Sequence, residues 1–180
     1  MKLPSSRTYG FWLAMLRIYT GAFWLMHGIP KWTQSASFMP PNGLMTQFLN
    51  AQITNTTGPY QWFLTTVVLP NAWFFADMVR TGEVVTGLLL LLGLFSRWGG
   101  VIGMLLSLNY LTASGGLTHL RYWDTINSAA LVLSFMNVVL PTGLMFGLDG
   151  LLARRKTARA PAKAVFVDEP PMTGPTAPTA

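Results

Sequence analysis

Apolar residues recur along this chain in long runs, and the few polar residues inside those runs fall at helical spacing. The segment 77–97, DMVRTGEVVTGLLLLLGLFSR, shows the pattern most clearly. Asp77, Arg80 and Glu83 step through its first half three residues apart, which puts them on one side of a helix. Positions 84–95 are apolar except for Thr86 and two glycines. Such a helix reaches about 30 Å, enough to cross a bilayer with Glu83 near the midplane. A carboxyl group there is costly unless the protein itself supplies a partner, so the other helices should be arranged around it.

The same reading predicts four spans, at about 9–29, 73–95, 98–114 and 123–140. In the first, Gly10, Ala14, Arg17, Gly21 and Gly28 share a narrow face that lets another helix come close, with Arg17 in its middle. A basic start before an apolar run also suits a signal peptide. Arg17 within the run and the lack of a small-residue cleavage site favour a retained helix. In the third span Gly99, Gly103 and Ser107 form a packing face, and Asn109 and Tyr110 are its polar features. The fourth carries Asp124, Asn127, Ser134 and Asn137 along one side.

The connection 30–72 is too long to lack structure. Tyr60, Phe63, Leu64, Val67 and Val68 predict an amphipathic helix at about 59–69, opened by Gly58-Pro59 and stopped by Pro70. It is too short to span, which suggests the membrane interface, with Phe63 and Val67 inward and Gln61 facing water. A weaker amphipathic segment, 44–53, precedes it. After the fourth span comes a short amphipathic piece, 144–152. The expected architecture is an all-α integral membrane four-helix bundle over 1–155. A basic, then Pro/Ala-rich tail covers 156–180, and its last twenty residues are expected to be disordered.

Composition sharpens this. Of 180 residues, 51% are hydrophobic and 10% charged, against about 25% charged in soluble domains. The chain has no cysteine, which excludes disulfides, iron–sulfur clusters and thiolate zinc. A net charge of +6 raises nucleic acid as a partner, but its placement argues against it. Arg154, Arg155, Lys156, Arg159 and Lys163 follow the last apolar run, Lys2 and Arg7 precede the first, and Arg97 marks the middle turn. The outer connections hold Lys31 and Arg121. This bias places both termini on the cytoplasmic side of the cell membrane, with the long connection outside.

The motifs LRIYTG and HGIPKW in the first helix, PNAWFFADMVRTGEVVTGLLLLLGLFSR in the second and GLDGLLARR after the fourth carry a resemblance. The chain resembles the DoxX family of four-helix membrane proteins, and within it the DoxD-like small subunit of thiosulfate:quinone oxidoreductase. Arg17, Gly21, Gly28, Lys31, Glu83, Gly87, Gly93 and Arg97 sit at the family's Arg, Gly, Lys, Glu and Gly-x-x-x-Arg positions. The resemblance implies a subunit of a quinone-linked oxidoreductase, not a complete enzyme; it leaves the cofactor open, with quinone the candidate.

Among candidate site residues, Arg17 and Glu83 stand first. Counted from the helix ends at 1.5 Å per residue, they reach similar depth, so they are expected to pair. Such a pair either fixes helix register or stands beside a proton or quinone-headgroup site. Asp77 and Arg80 are expected to form a local pair near the outer surface. Lys31 and Arg97, at helix ends, are expected to be snorkelling anchors. His27 and His119 could hold a haem only by facing each other. One lies near a helix end and the other in a loop, so simple hydrogen bonding is expected instead of haem or metal ligation. The tryptophans, near predicted helix ends, form an aromatic belt before they form a quinone box. No nucleophile–base pair or phosphate loop appears, which points to action alongside other protein subunits in the bilayer. Two roles stay open: a quinone-linked subunit, or an accessory subunit packed against a larger respiratory or photosynthetic complex. A cleft lined by polar groups would mark the first, a sealed bundle the second.

Overall fold

The computed structural model describes residues 6–115, 123, 125–144 and 146–159. His119, Arg121, Asp124, Lys163 and the Pro/Ala tail lie outside the described residues. The described chain is all-helical: α1 (Ser6–Thr33), α2 (Ser35–Phe38), α3 (Leu44–Asn55), α4 (Gly58–Phe63, continued by a π turn over Leu64–Val68), α5 (Ala72–Leu92), α6 (Ser96–Ala113), α7 (Ile126–Val139) and α8 (Leu148–Arg159). Among the described residues no helix is long and apolar enough to cross a membrane. Charged residues interrupt α1 and α5, and α7 has only 14 residues.

Glycines set how α1 meets α5. A Cβ at Gly21 would stand 2.9 Å from the Gly87 carbonyl oxygen and 2.6 Å from the Leu91 nitrogen. A Cβ at Gly87 would meet the Gly21 carbonyl oxygen at 2.9 Å, and one at Gly28 would meet Glu83 and Val84 at about 3.0 Å. The two backbones are therefore in direct contact over two helical turns, which only small residues permit. Gly100 and Gly103 do the same for α6 against α7, facing the Ser134 carbonyl and hydroxyl.

Polar side chains point into the bundle. Trp24 Nε1 donates to Ser134 Oγ (3.2 Å), Asn137 Nδ2 to Thr20 Oγ1 (3.2 Å) and Thr142 Oγ1 to Asn137 Oδ1 (3.0 Å), all fully buried. These bonds tie α1 to α7 and α7 to the turn that follows it.

The connection between α1 and α5 packs on the upper half of α5. Phe38, Met39, Met45, Leu49, Leu64 and Val68 bury against Ala72, Ala76 and Val79. Within α4 and its π turn, Leu64 and Val68 are the buried positions, whereas Phe63 and Val67 are only partly so. Gln61 does not face water as expected: its amide donates to the Ile53 carbonyl (2.9 Å) and joins α4 to α3. An amphipathic helix packed under a second helix has no free polar side there, so the amide takes a backbone acceptor. Tyr60 donates to Asn109 Oδ1 (2.7 Å). Burial pushes its hydroxyl up to about 12, so it remains a neutral donor.

Candidate functional site

Glu83 is 1% exposed, and its partner is Lys31, not Arg17. Lys31 Nζ lies 2.5 Å from Glu83 Oε1. The Tyr110 hydroxyl donates to the same oxygen (2.7 Å), and Lys31 Nζ also donates to the Tyr110 oxygen (3.1 Å). One carboxylate oxygen thus receives two donors from two other helices, while Glu83 Oε2 is buried with no partner. The expected Arg17–Glu83 pair fails for a reason of register. Counting depth from helix ends assumes that the ends are level. The glycine contacts instead set Gly28 beside Glu83, so α5 runs on past the end of α1. Lys31, one turn beyond Gly28, then bends back to reach the carboxylate. It is no snorkelling anchor.

Arg17 sits at the other end of the bundle, about 21 Å along α1 from Lys31. It too is 1% exposed, and its Nη2 donates to the Phe146 carbonyl (3.2 Å). Its guanidinium fills the space that a side chain at Gly93 or Gly147 would occupy. Gly93 also ends α5 with φ +66°, so two constraints select glycine there. Beside it the Asp149 carboxylate accepts the backbone N–H groups of Phe95 (2.8 Å) and Ser96 (3.0 Å) and the Ser96 hydroxyl (3.0 Å). Arg97 is exposed on the rim of a cleft shared with Ser96 and Asp149. Asp77 and Arg80 form an ion pair, and the Arg80 guanidinium lies 3.9 Å from the Trp32 ring centre. That stacking joins α5 to the end of α1.

The Lys31–Glu83–Tyr110 cluster opens onto a cavity of about 460 Å³. Its walls come from α1 (Met26, His27, Pro30, Lys31), from the connection (Gln34, Phe38, Met45, Phe48), from α5 (Val79, Glu83), and from Tyr110 and Asn127. The size and the mostly apolar lining with a few converging polar groups suit a small-molecule site. His27 is exposed at the wall, with Nδ1 2.8 Å from the Phe23 carbonyl. If Nδ1 carries the proton for that bond, Nε2 is left as an acceptor. Among the described residues, no group of three or more His, Asp or Glu could hold a metal ion.

Tyr110 was visible in the sequence only as a polar feature. A signal was present, since Gly103, Ser107 and Tyr110 continue one helical face. That face packs inward, so Tyr110 had to meet the bundle interior.

A family profile, described as TQO small subunit DoxD, matches residues 12–170. The chain belongs to the DoxD family. Within this DoxD-family chain the matched region takes in Arg17, Lys31, Glu83, Tyr110 and Asp149. No curated protein and no solved structure matches it.

Proposed function

We propose that the chain is a membrane-embedded subunit of a quinone-linked oxidoreductase, and that the Lys31–Glu83–Tyr110 cleft receives the quinone headgroup. The observation that carries this is the cleft itself: a buried carboxylate, an ammonium and a phenol converge on a ligand-sized, largely apolar cavity. Membership of the DoxD family supports the quinone-linked role.

The distribution of polarity supports the bilayer. Trp12, Met26, Phe74, Leu105 and Val139 are more than half exposed, while Arg17, Glu83, Ser134 and Asn137 are at most 1% exposed. That inverts a water-soluble bundle and suits lipid outside with polar contacts within. A hydropathy average over one helix counts the inward polar groups together with the outward apolar ones. It therefore understates how apolar the outer surface is. Both termini lie on the cytoplasmic side in this reading.

A quinone takes up two electrons and two protons when it is reduced. In the cleft, the third N–H of Lys31 is positioned to donate to a headgroup carbonyl, while Tyr110 spends its one O–H on Glu83. The Glu83 carboxylate, with Oε2 free, is positioned to hold and pass a proton. Electrons come from partner subunits.

The test is calorimetric titration of the purified full chain in detergent with a tailless benzoquinone. Wild-type protein should bind. Lys31→Met should weaken binding about tenfold, roughly one hydrogen bond's worth. If the wild type shows no binding but still assembles with its partner subunits, the accessory role replaces this reading.

A further inference from the structure

We infer that a second, apolar chamber beneath α3 and α4 is the place where the hydrocarbon tail of the quinone is held. This rests on the proposed headgroup site and extends it. The chamber measures about 360 Å³ and lies between the connection helices and the α5–α6 seam. Met45, Phe48, Val79 and Tyr110 line both it and the Lys31 cleft, so the two form adjoining lobes with Tyr110 at the boundary.

The lobes differ in chemistry. The first holds the charged pair. The second is aliphatic and aromatic apart from Gln52, Tyr60, Asn109 and Tyr110, and Tyr60 and Asn109 bond each other. A ligand filling both must be polar at one end and apolar at the other.

The chamber also has a way out. Met78 and Leu105, on its α5 and α6 walls, are 49% and 56% exposed. Between those helices sits Gly82. A Cβ there would have Leu106 as its nearest neighbour at 3.4 Å, an ordinary contact. At Gly21, Gly87 and Gly103 an added Cβ would instead fall under 3.0 Å from its neighbours. Gly82 is therefore not needed for helix approach; it lines the chamber and leaves that wall without a side chain. A tail longer than the chamber would leave between Met78 and Leu105 into lipid.

Two quinones with the same headgroup, one tailless and one carrying two isoprene units, would be titrated into the full chain in a single detergent. The tailed compound should bind wild-type protein at least about tenfold more tightly. Gly82→Ile fills the chamber, and Leu105→Trp narrows its mouth from an exposed position that leaves the fold intact. Both should abolish most of the tail's advantage while leaving tailless affinity unchanged. An advantage that survives in both variants comes from partition into the micelle and overturns the inference. So does equal wild-type affinity for the two compounds, which leaves the headgroup site standing. A phospholipid released from wild type but not from Gly82→Ile, with no effect of tail length, would make the chamber a lipid site and equally overturn it. Binding of neither compound would remove the headgroup reading as well.

Discussion

At the residue scale, the decisive contacts are those of Glu83. A carboxylate that is 1% exposed is costly to bury without close donors, and Lys31 and Tyr110 are those donors. Lys31→Met would strand it. The expected cost is about 3 kcal/mol, the low end for a broken buried pair, because the Lys31 side chain keeps 23% exposure. The double change Lys31→Met with Glu83→Leu should regain much of that. In a double-mutant cycle on unfolding in detergent, Lys31 and Glu83 should couple by about 1–3 kcal/mol. Arg17→Met and Glu83→Leu should be additive within about 0.5 kcal/mol, since Arg17 packs on Gly93 about ten residues, or 15 Å, down α5. Strong coupling between Arg17 and Glu83 would mean that the register derived from the glycine contacts is wrong.

At the element scale, α6 has no cap of its own. Its N-cap residue, Phe95, is in the left-handed region with φ +48° and supplies no side-chain bond. The cap arrives from α8, where Asp149 offers its carboxylate to two N–H groups and a hydroxyl. It also suits the positive end of the α6 dipole. The Asp149 backbone N–H bonds the Gly93 carbonyl (2.8 Å), so the start of α8 closes the α5–α6 turn. Asp149→Ala should cost about 1–2 kcal/mol and loosen α8 from the bundle. Hydrogen exchange would show faster amides over 93–97 and 148–155, with α3 and α4 unchanged. Unaltered protection at both places would refute the cap. The helix positions themselves were legible from periodicity and from Gly and Pro punctuation. The side chain that caps α6 was not, since it comes from more than fifty residues away.

At the scale of the whole molecule, the bundle has two differently built ends. One holds the Lys31 cleft beneath the folded connection; the other holds Arg17, Asp149 and the α5–α6 turn. Between them runs the buried column of Trp24, Ser134, Thr20, Asn137 and Thr142. With lipid around it, such a bundle should present Ser35 and Arg155 on opposite faces of the membrane. Single cysteines at these positions, treated with an impermeant maleimide in right-side-out and inverted vesicles, should label from opposite sides. Labelling of both from one side would end the four-span topology.

Local order along the chain was enough for the all-helical class, for the positions of the main helices and for family membership. Each of these depends on residues within a few turns of one another. The small-residue faces around Gly21, Gly28, Gly87 and Gly103 were equally legible, because a face is a property of one helix. Which face meets which, and at what level, belongs to pairs of helices distant in sequence. That level decided that Glu83 meets Lys31, that Arg17 serves the opposite end, and that Tyr110 closes the cluster. The two adjoining cavities are likewise spaces between helices, shaped by residues that are absent, such as the side chain missing at Gly82. Periodicity within one helix cannot register a space between several, so only the packed tertiary structure could place them.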